Sequence, residues 1–232
     1  MKLYAVGART LLSGNILVLL VVLMVYMFLP IFQFLELKSI DTRFQVRNAL
    51  GMNPKYSNAL VHINLDNYSK QASGINPWPK TYYADLVGRI SMGNAKVIAC
   101  DVMFVDGTNS DVLIDTLVTA ANVISPLVLD FSRDGSSLPT LKSLGLQFNP
   151  AVKPGLISPA SRVLAAPISE IVDQSAGLGF INIDPDPDGV VRRVRLVADL
   201  HGTLVASFFL QAVADYLDYA IENIAPVDGS SL

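Results

Sequence analysis

Three aspartates stand where apolar segments of the chain end, and carboxylates so placed have the most scope for chemistry. Asp66 closes Ala59-Leu-Val-His-Ile-Asn-Leu-Asp66, Asp101 interrupts the apolar run Lys96–Val105, and Asp130 closes Asn122-Val-Ile-Ser-Pro-Leu-Val-Leu-Asp130. If these segments are neighbouring parallel strands, the three side chains share the carboxyl edge of a sheet, where open α/β folds bind ligands. Gathered carboxylates suit a divalent cation or a cationic ligand, and their repulsion raises at least one pKa unless a cation offsets it. The plainer alternative is that an aspartate ending a strand caps the next helix or closes an Asx turn. Asp130 fits that plainer role; Asp66 and Asp101 fit either, and Asp101, inside an apolar run, calls for a specific partner.

Asp184-x-Asp186-x-Asp188-Gly189 matches the first half of a calcium loop, but the position that needs a bidentate glutamate is Arg195 and the flanks read as strands. Two prolines and Asp-Gly suit a hairpin turn better. Arg192, Arg193 and Arg195 follow; Arg193 and Arg195 share one face of an extended segment, taken as solvated, and Arg192 points the other way, towards acidic residues. The single tryptophan, Trp78, lies between Pro77 and Pro79 beyond the first strand, where it either lines a recognition pocket or covers the sheet end. No GxGxxG, Walker loop, GxSxG or CxxC occurs, and there are two histidines, His62 and His201. No catalytic residue, resident metal or cofactor is therefore expected within the chain. The one cysteine, Cys100, sits in an apolar run and is expected to pack as a small hydrophobe. Asn67-Tyr-Ser69 is a glycosylation sequon by pattern, meaningful only in a eukaryotic secretory pathway.

The elements that must position these residues follow from periodicity. Val61, Ile63 and Leu65 alternate with polar residues, which predicts a strand over Ala59–Asp66. Tyr83, Leu86, Val87 and Ile90 mark one face of a helix ending near Gly93, with Asp85 and Arg89 paired on its solvent side. Lys96–Val105 reads as a central strand, Asp111–Ala121 as a helix, and Asn122–Asp130 as a strand that Pro126 assigns to an edge or a bulge. The three strand ends lie roughly 30 residues apart, the length of a βαβ unit. Phe131–Pro159 reads as an irregular insertion, and Pro167–Gln174 as a short helix. Leu178–Ile183 and Val190–Ala198 then read as a hairpin, Thr203–Ala206 as a strand after the His201-Gly202 turn, and Phe209, Val213, Tyr216, Leu217 and Ala220 as the apolar stripe of a last helix. The fold class is α/β: an N-terminal transmembrane helix and stalk, then a mainly parallel sheet with flanking helices and a C-terminal hairpin plus helix.

Half of the chain, 51%, is hydrophobic, and Thr10–Leu35 contains no charged residue. As a helix that run spans about 39 Å, more than the hydrocarbon thickness of a bilayer. It is also longer than the apolar stretch of a cleaved signal peptide, and no small-residue cleavage site precedes Glu36. Lys2 and Arg9 precede the span, whereas Glu36, Lys38, Asp41 and Arg43 follow it in balanced numbers, which places the N-terminus in the cytoplasm and the main domain outside. Leu37, Ile40 and Phe44 extend the helix as an amphipathic stalk to about Leu50, stopped by Gly51 and Pro54. The whole chain carries a net charge of −3, and the outer part is more acidic still, which disfavours nucleic acid as a partner.

In order and spacing these motifs resemble the CHASE2 family of extracytoplasmic sensor domains. The residues that carry the resemblance are Asp41-Thr-Arg-Phe44, Leu65-Asp66 with Ser69, and Trp78-Pro79 with Tyr82 and Tyr83. They continue with Ala99-Cys-Asp-Val-Met-Phe104, Asn122-Val, Leu178-Gly-Phe-Ile-Asn182, and Asp186-Pro-Asp-Gly-Val-Val-Arg192-Arg193. The resemblance implies residues 1–35 as cytoplasmic tail and membrane helix, and 36–232 as a periplasmic sensor domain incomplete at its C-terminus. The family's Gly-Lys-hydrophobic strand and Pro-Gly-Val-Glu-His-like segment do not occur before Leu232. It further implies a bacterial inner-membrane receptor whose output, a class III cyclase or a kinase, lies outside this chain. An unidentified extracytoplasmic ligand would bind near Asp66, Trp78, Asp101 and Arg192, with signalling through a homo-oligomer joined along the stalk. Two other classes stand beside it: an envelope assembly module that senses nothing, and a metal-dependent hydrolase built on Asp66 and Asp101.

Overall fold

The computed structural model describes residues 15–25, 31–75, 77–132 and 157–220. It divides into two units at Asn64/Leu65. In the first, residues 15–25 form a helix (α1), and Ile16 through Val25 are all exposed, between 38% and 66%. Among the described residues no helix is long and apolar enough to cross a membrane. The span expected from Thr10 to Leu35 lies partly outside the described residues.

Helix α2, Ile31–Ala49, includes the expected stalk. It ends as Gly51 predicts: Gly51 takes φ +65°, its N–H donates to the Asn48 carbonyl (3.0 Å), and Met52 N–H donates back to Arg47 (2.9 Å). This 6→1, 5→2 pair closes the helix, and glycine carries the left-handed turn without steric cost. The strand expected over Ala59–Asp66 is not formed: residues 60–66 carry no regular structure, and Val61 is 78% exposed. Alternation of side chains describes an extended chain, but a strand also needs a neighbour for its N–H and C=O groups.

The second unit contains α3 (Asn67–Ser73), α4 (Lys80–Met92), β1 (Ile98–Ala99), α5 (Asp111–Ala120), β2 (Val123–Asp130), β3 (Ser158–Ala160), β4 (Arg162–Ala165), α6 (Ser169–Gln174), β5 (Gly177–Phe180), β6 (Val197–Leu200), β7 (Thr203–Ala206) and α7 (Phe208–Tyr216). Helices α4, α5 and α6 form where periodicity places them, and Arg89 pairs with Asp85 at 2.8 Å. Strand β2 is central, parallel to β1 on one edge and to β5 on the other, with β4 antiparallel farther along. Pro126 therefore lies in a central strand, not at an edge. Its position explains why the strand expected over Lys96–Val105 shrinks to Ile98–Ala99. Ile98 N–H donates to Asn122 and Cys100 N–H to Ile124; the next rung would be donated by residue 126 to the Cys100 carbonyl, and proline has no N–H. β1 stops there, and β4 takes over the same edge from Val128, with a bulge between Val128 and Leu129.

β3, β6 and β7 form a second sheet, with β3 parallel to β6. The hairpin expected between Leu178–Ile183 and Val190–Ala198 does not form; β5 pairs with β2, and β6 pairs with β7 around His201 and Gly202. Their φ values of 52° and 83° fit the primed turn that matches strand twist. Most of the irregular insertion, 133–156, lies outside the described residues, and β3 and β4 beyond it have no periodic signal of their own.

The two sheets meet where Phe180 bridges Ser207 in parallel, and Ser207 Oγ caps α7 by accepting from Leu210 N–H (3.2 Å). Here a Cβ on Gly179 would lie 2.4 Å from Phe208 Cα and 2.6 Å from its nitrogen. The residues that α7 buries are Phe208 and Ala214, with Leu210 partly buried against Ala214, whereas Phe209, Val213, Tyr216 and Leu217 are 44–63% exposed. The expected apolar stripe thus faces outward. One core gathers Val87, Leu113, Leu117, Val123 and Ile171 between helices and sheet; another gathers Leu127, Leu129, Phe180, Leu200 and Val205.

Gly179→Ala is expected to cost about 3 kcal/mol in chemical denaturation because backbone must move, whereas Gly177→Ala, which meets only the Gln211 side chain, costs about 1 kcal/mol. Burial pushes the Cys100 thiol up to about 11, so it should ignore thiol reagents at about pH 8 in the folded chain and react once denatured.

Candidate functional site

Asp66 precedes α3 in extended conformation, and its Oδ1 accepts from Ser69 N–H (2.8 Å) and Ser69 Oγ (2.7 Å). Those bonds hold its carboxyl below the usual range. Asp66 is an N-cap, and Ser69, three residues on in the family-like motif, is its partner. Trp78 Nε1 donates to Ser73 Oγ (2.8 Å), tying the ring to the end of α3. The ring stacks on Tyr82 (6.3 Å, 25°) and meets Tyr83 edge-on (6.2 Å), and Tyr83 meets Phe104 in the same way (5.2 Å). Trp78 is one end of an aromatic row that leads into the core.

Beside this row lies a residue that sequence reasoning missed. Lys80 Nζ donates to the Asp106 carbonyl (2.6 Å), Asp106 Oδ1 (2.8 Å) and the Thr108 carbonyl (2.7 Å), with its side chain 10% exposed. Three acceptors match the three donors of an ammonium group, so Lys80 clips down the loop after Phe104. The one available signal is its place in the first turn of α4, where the helix dipole disfavours a cation. Asp101, by contrast, is exposed and makes no bond to a described residue.

The three aspartates are not gathered. Asp66 ends no strand, Asp101 lies beyond the end of β1, and Asp130 is the last residue of β2. Asp130 Oδ2 pairs with Arg162 Nε (2.9 Å) while Oδ1 accepts from Ser132 N–H (2.9 Å); the Ser132 bonds first, then Arg162, hold its carboxyl low. Among the described residues no three His, Cys, Asp or Glu side chains come together to hold a metal ion.

The Asp184–Gly189 loop is a turn closed by Gly189 N–H to Asp186 (2.8 Å) and Asp186 N–H to Val190 (3.0 Å). Its carboxylates face arginines: Arg192 reaches Asp186 (3.1 Å) and forks onto both oxygens of Asp188 (2.8 and 2.7 Å). Arg193 reaches Asp186 (2.9 Å), and Arg195 reaches Asp184 (2.8 Å) while lying 4.2 Å from the Phe131 ring centre. The inward reading of Arg192 is correct, its side chain being 3% exposed. Its guanidinium is spent on the turn, so the four candidates Asp66, Trp78, Asp101 and Arg192 are held by separate partners: a cap, an aromatic row, solvent and an ion-pair clasp.

A concavity among the described residues lies at the opposite end of the strands. A cleft of about 450 Å³ is lined by Lys96, Val97, Ala121, Asn122, Ala176, Asp215, Asp218, Tyr219 and Ala220, at the amino ends of β1, β2 and β5 and the carboxyl ends of α5 and α7. Lys96 pairs with Asp218 (2.6 Å) and lies 5.5 Å from the Tyr216 ring centre. Burial raises the Asp215 carboxyl, and the bond from Gln211 Nε2 (3.0 Å) partly offsets this. Asn122 Nδ2 donates to the Ala95 carbonyl (2.6 Å), while its Oδ1 is buried without a hydrogen-bond partner; an unmet buried acceptor costs about 1–3 kcal/mol. These residues come from four distant parts of the chain, and no local pattern joins them.

Residues 16–231 match the family model of the CHASE2 domain. No curated protein and no solved structure matches the chain.

Arg192→Ala is expected to cost about 3 kcal/mol by denaturant titration, because it removes the fork from Asp188, 19% exposed, and leaves Asp186, 10% exposed, with Arg193 as its ion-pair partner. Arg193→Ala, 76% exposed, should cost less than about 1 kcal/mol. Equal costs would refute the clasp.

Proposed function

Because the chain belongs to the CHASE2 domain family, we propose that it is the signal-input part of a membrane-anchored receptor, with the α/β unit outside the cytoplasmic membrane and its N-terminus within the cytoplasm. CHASE2 is a family of sensor domains, and the match over residues 16–231 carries this reading. Two features support the membrane anchor. Residues 16–25 are hydrophobic on every side of α1 and exposed throughout, the pattern of a helix whose surroundings are apolar. The uncharged run Thr10–Leu35 is long enough for a bilayer, and its N-terminal flank carries Lys2 and Arg9 with no acidic residue, whereas basic and acidic residues balance on the other side. The lipid bilayer is then a partner, and α2 is the element through which a bound state would be relayed to a cyclase or kinase output.

A ligand shifts such a receptor only by binding two arrangements with different affinity. A homo-oligomer supplies them if protomers meet along α2; of its stripe Leu37, Ile40 and Phe44, Leu37 is buried within the chain and Phe44 is 47% exposed. The second reading, an assembly module of the envelope that senses nothing, draws on the outward stripe of α7, Phe209, Val213, Tyr216 and Leu217.

Protease added to intact spheroplasts is expected to digest the chain beyond Glu36 and to leave the N-terminal tail intact. Digestion of that region only after lysis removes the receptor reading.

A further inference from the structure

We propose that the outward stripe of α7 is an interface with a second copy of this chain, the two helices lying antiparallel about a two-fold axis near Val213. This deepens the sensor reading, and it rests on that reading for the membrane that holds the two copies side by side.

Phe209, Val213, Tyr216 and Leu217 stand at i, i+4, i+7 and i+8, so they share one side of α7 and of the turn that ends it, away from the buried Phe208 and Ala214. Four large apolar side chains left about half exposed in one row form a patch, unlike the single exposed residues of an ordinary surface. The row itself carries no charge. Asp215 and Asp218 fall on the other side of the helix by the same spacing, Asp215 bonded to Gln211 and Asp218 to Lys96. Lys96, 5.5 Å from the Tyr216 ring centre, approaches the row with its charge already matched by Asp218.

Shape and charge select the occupant. A helix ridge is convex, and a small ligand needs a concave site. Helices that lie on membranes carry basic residues beside the apolar face; α7 has none, and anionic lipid would repel Asp215 and Asp218. A protein surface remains, and area decides which. With half of four large side chains available, the stripe offers roughly 400 Å² per copy, at ~100 Å² each. Two stripes face to face then bury roughly 800 Å², below the ~1,000 Å² that a specific interface formed from solution should clear. So small a contact does not capture a free partner, but it holds a neighbour kept close by a common tether, at an effective concentration of the order of millimolar. A second copy anchored in the same membrane is that neighbour. Two-fold symmetry fixes the pairing: Val213 meets Val213, Phe209 meets Leu217, and Asp215 stands level with the partner's Gln211. Parallel helices would instead set aspartate level with aspartate and align the two helix dipoles.

The test is disulfide cross-linking of the full chain in liposomes, with Val213→Cys set against Val118→Cys, which is equally exposed on α5. Burial pushes the native Cys100 thiol up to about 11 and keeps it out of the reaction at neutral pH, so the unsubstituted chain is the control. Val213→Cys should give about tenfold more linked dimer than Val118→Cys, and Phe209→Cys and Leu217→Cys chains, when mixed, should link to each other in preference to themselves. Phe209→Glu added to Val213→Cys should leave the denaturation midpoint unchanged and reduce linking about tenfold, since it sets an unpaired carboxylate in the interface. Equal linking at 213 and 118 overturns the proposal. So does a Val213→Cys thiol that neither links nor reacts with a soluble maleimide, which shows the stripe covered by other residues of its own chain, and so does linking in native membranes to a different protein alone. Linking in a chain whose sidedness proves wrong keeps the interface and removes the receptor; the expected sidedness without linking removes the interface alone.

Discussion

At Gly179 the backbone of β5 and the first residue of α7 approach so closely that one methyl group would fall 2.4 Å from Phe208 Cα. Much of the second unit depends on this contact. It joins the sheet of β1, β2, β4 and β5 to that of β3, β6 and β7 through the Phe180–Ser207 bridge. It brings α7 onto the sheet with Phe208 and Ala214 buried and leaves Phe209 and Val213 outward. It also sets where α7 ends, and so brings Asp215 and Asp218 to the amino ends of the strands.

A second constraint is the missing N–H of Pro126. The proline sits fully buried in the central strand, where the parallel ladder with β1 would need its donor. The ladder ends, the chain after Ala99 leaves the sheet, and β4 arrives antiparallel on the vacated edge. What reads as one long apolar strand from Lys96 to Val105 becomes a two-residue strand and an irregular segment pinned by Lys80. The carboxyl edge, where ligands would be sought in a parallel sheet, is thereby filled with structural contacts.

Charge follows the same division. Arg192 and Lys80 are buried cations with their donors committed, and Asp66 and Asp130 are carboxylates held low by bonds from nearby serines. Unmet polar capacity lies elsewhere, at Asn122 Oδ1 and at Asp215. A paired charge has little left to offer a ligand.

Whatever acts within a few residues was determined by the sequence itself. The face of α4, the existence of α5, the glycine stop after α2, the turn at His201-Gly202 and the inward arginine follow from periodicity and φ preference, which operate over one or two turns of chain, and the cap at Asp66 is one of the two roles that capping chemistry left open. Leu65-Asp66 with Ser69, Trp78-Pro79 and Leu178–Asn182 were legible as family-like motifs, though their tasks here, a cap, an aromatic row and a close contact, were not. Only the tertiary structure decided that Ala59–Asp66 stays unpaired, that β5 joins β2 and not β6, that α7 buries Phe208 and Ala214 and leaves its expected stripe outward, and that a cleft forms between Lys96 and Asp215. Each of these depends on which distant backbone supplies a hydrogen bond or how closely a distant side chain allows approach, and neither quantity is written in the spacing of neighbouring residues.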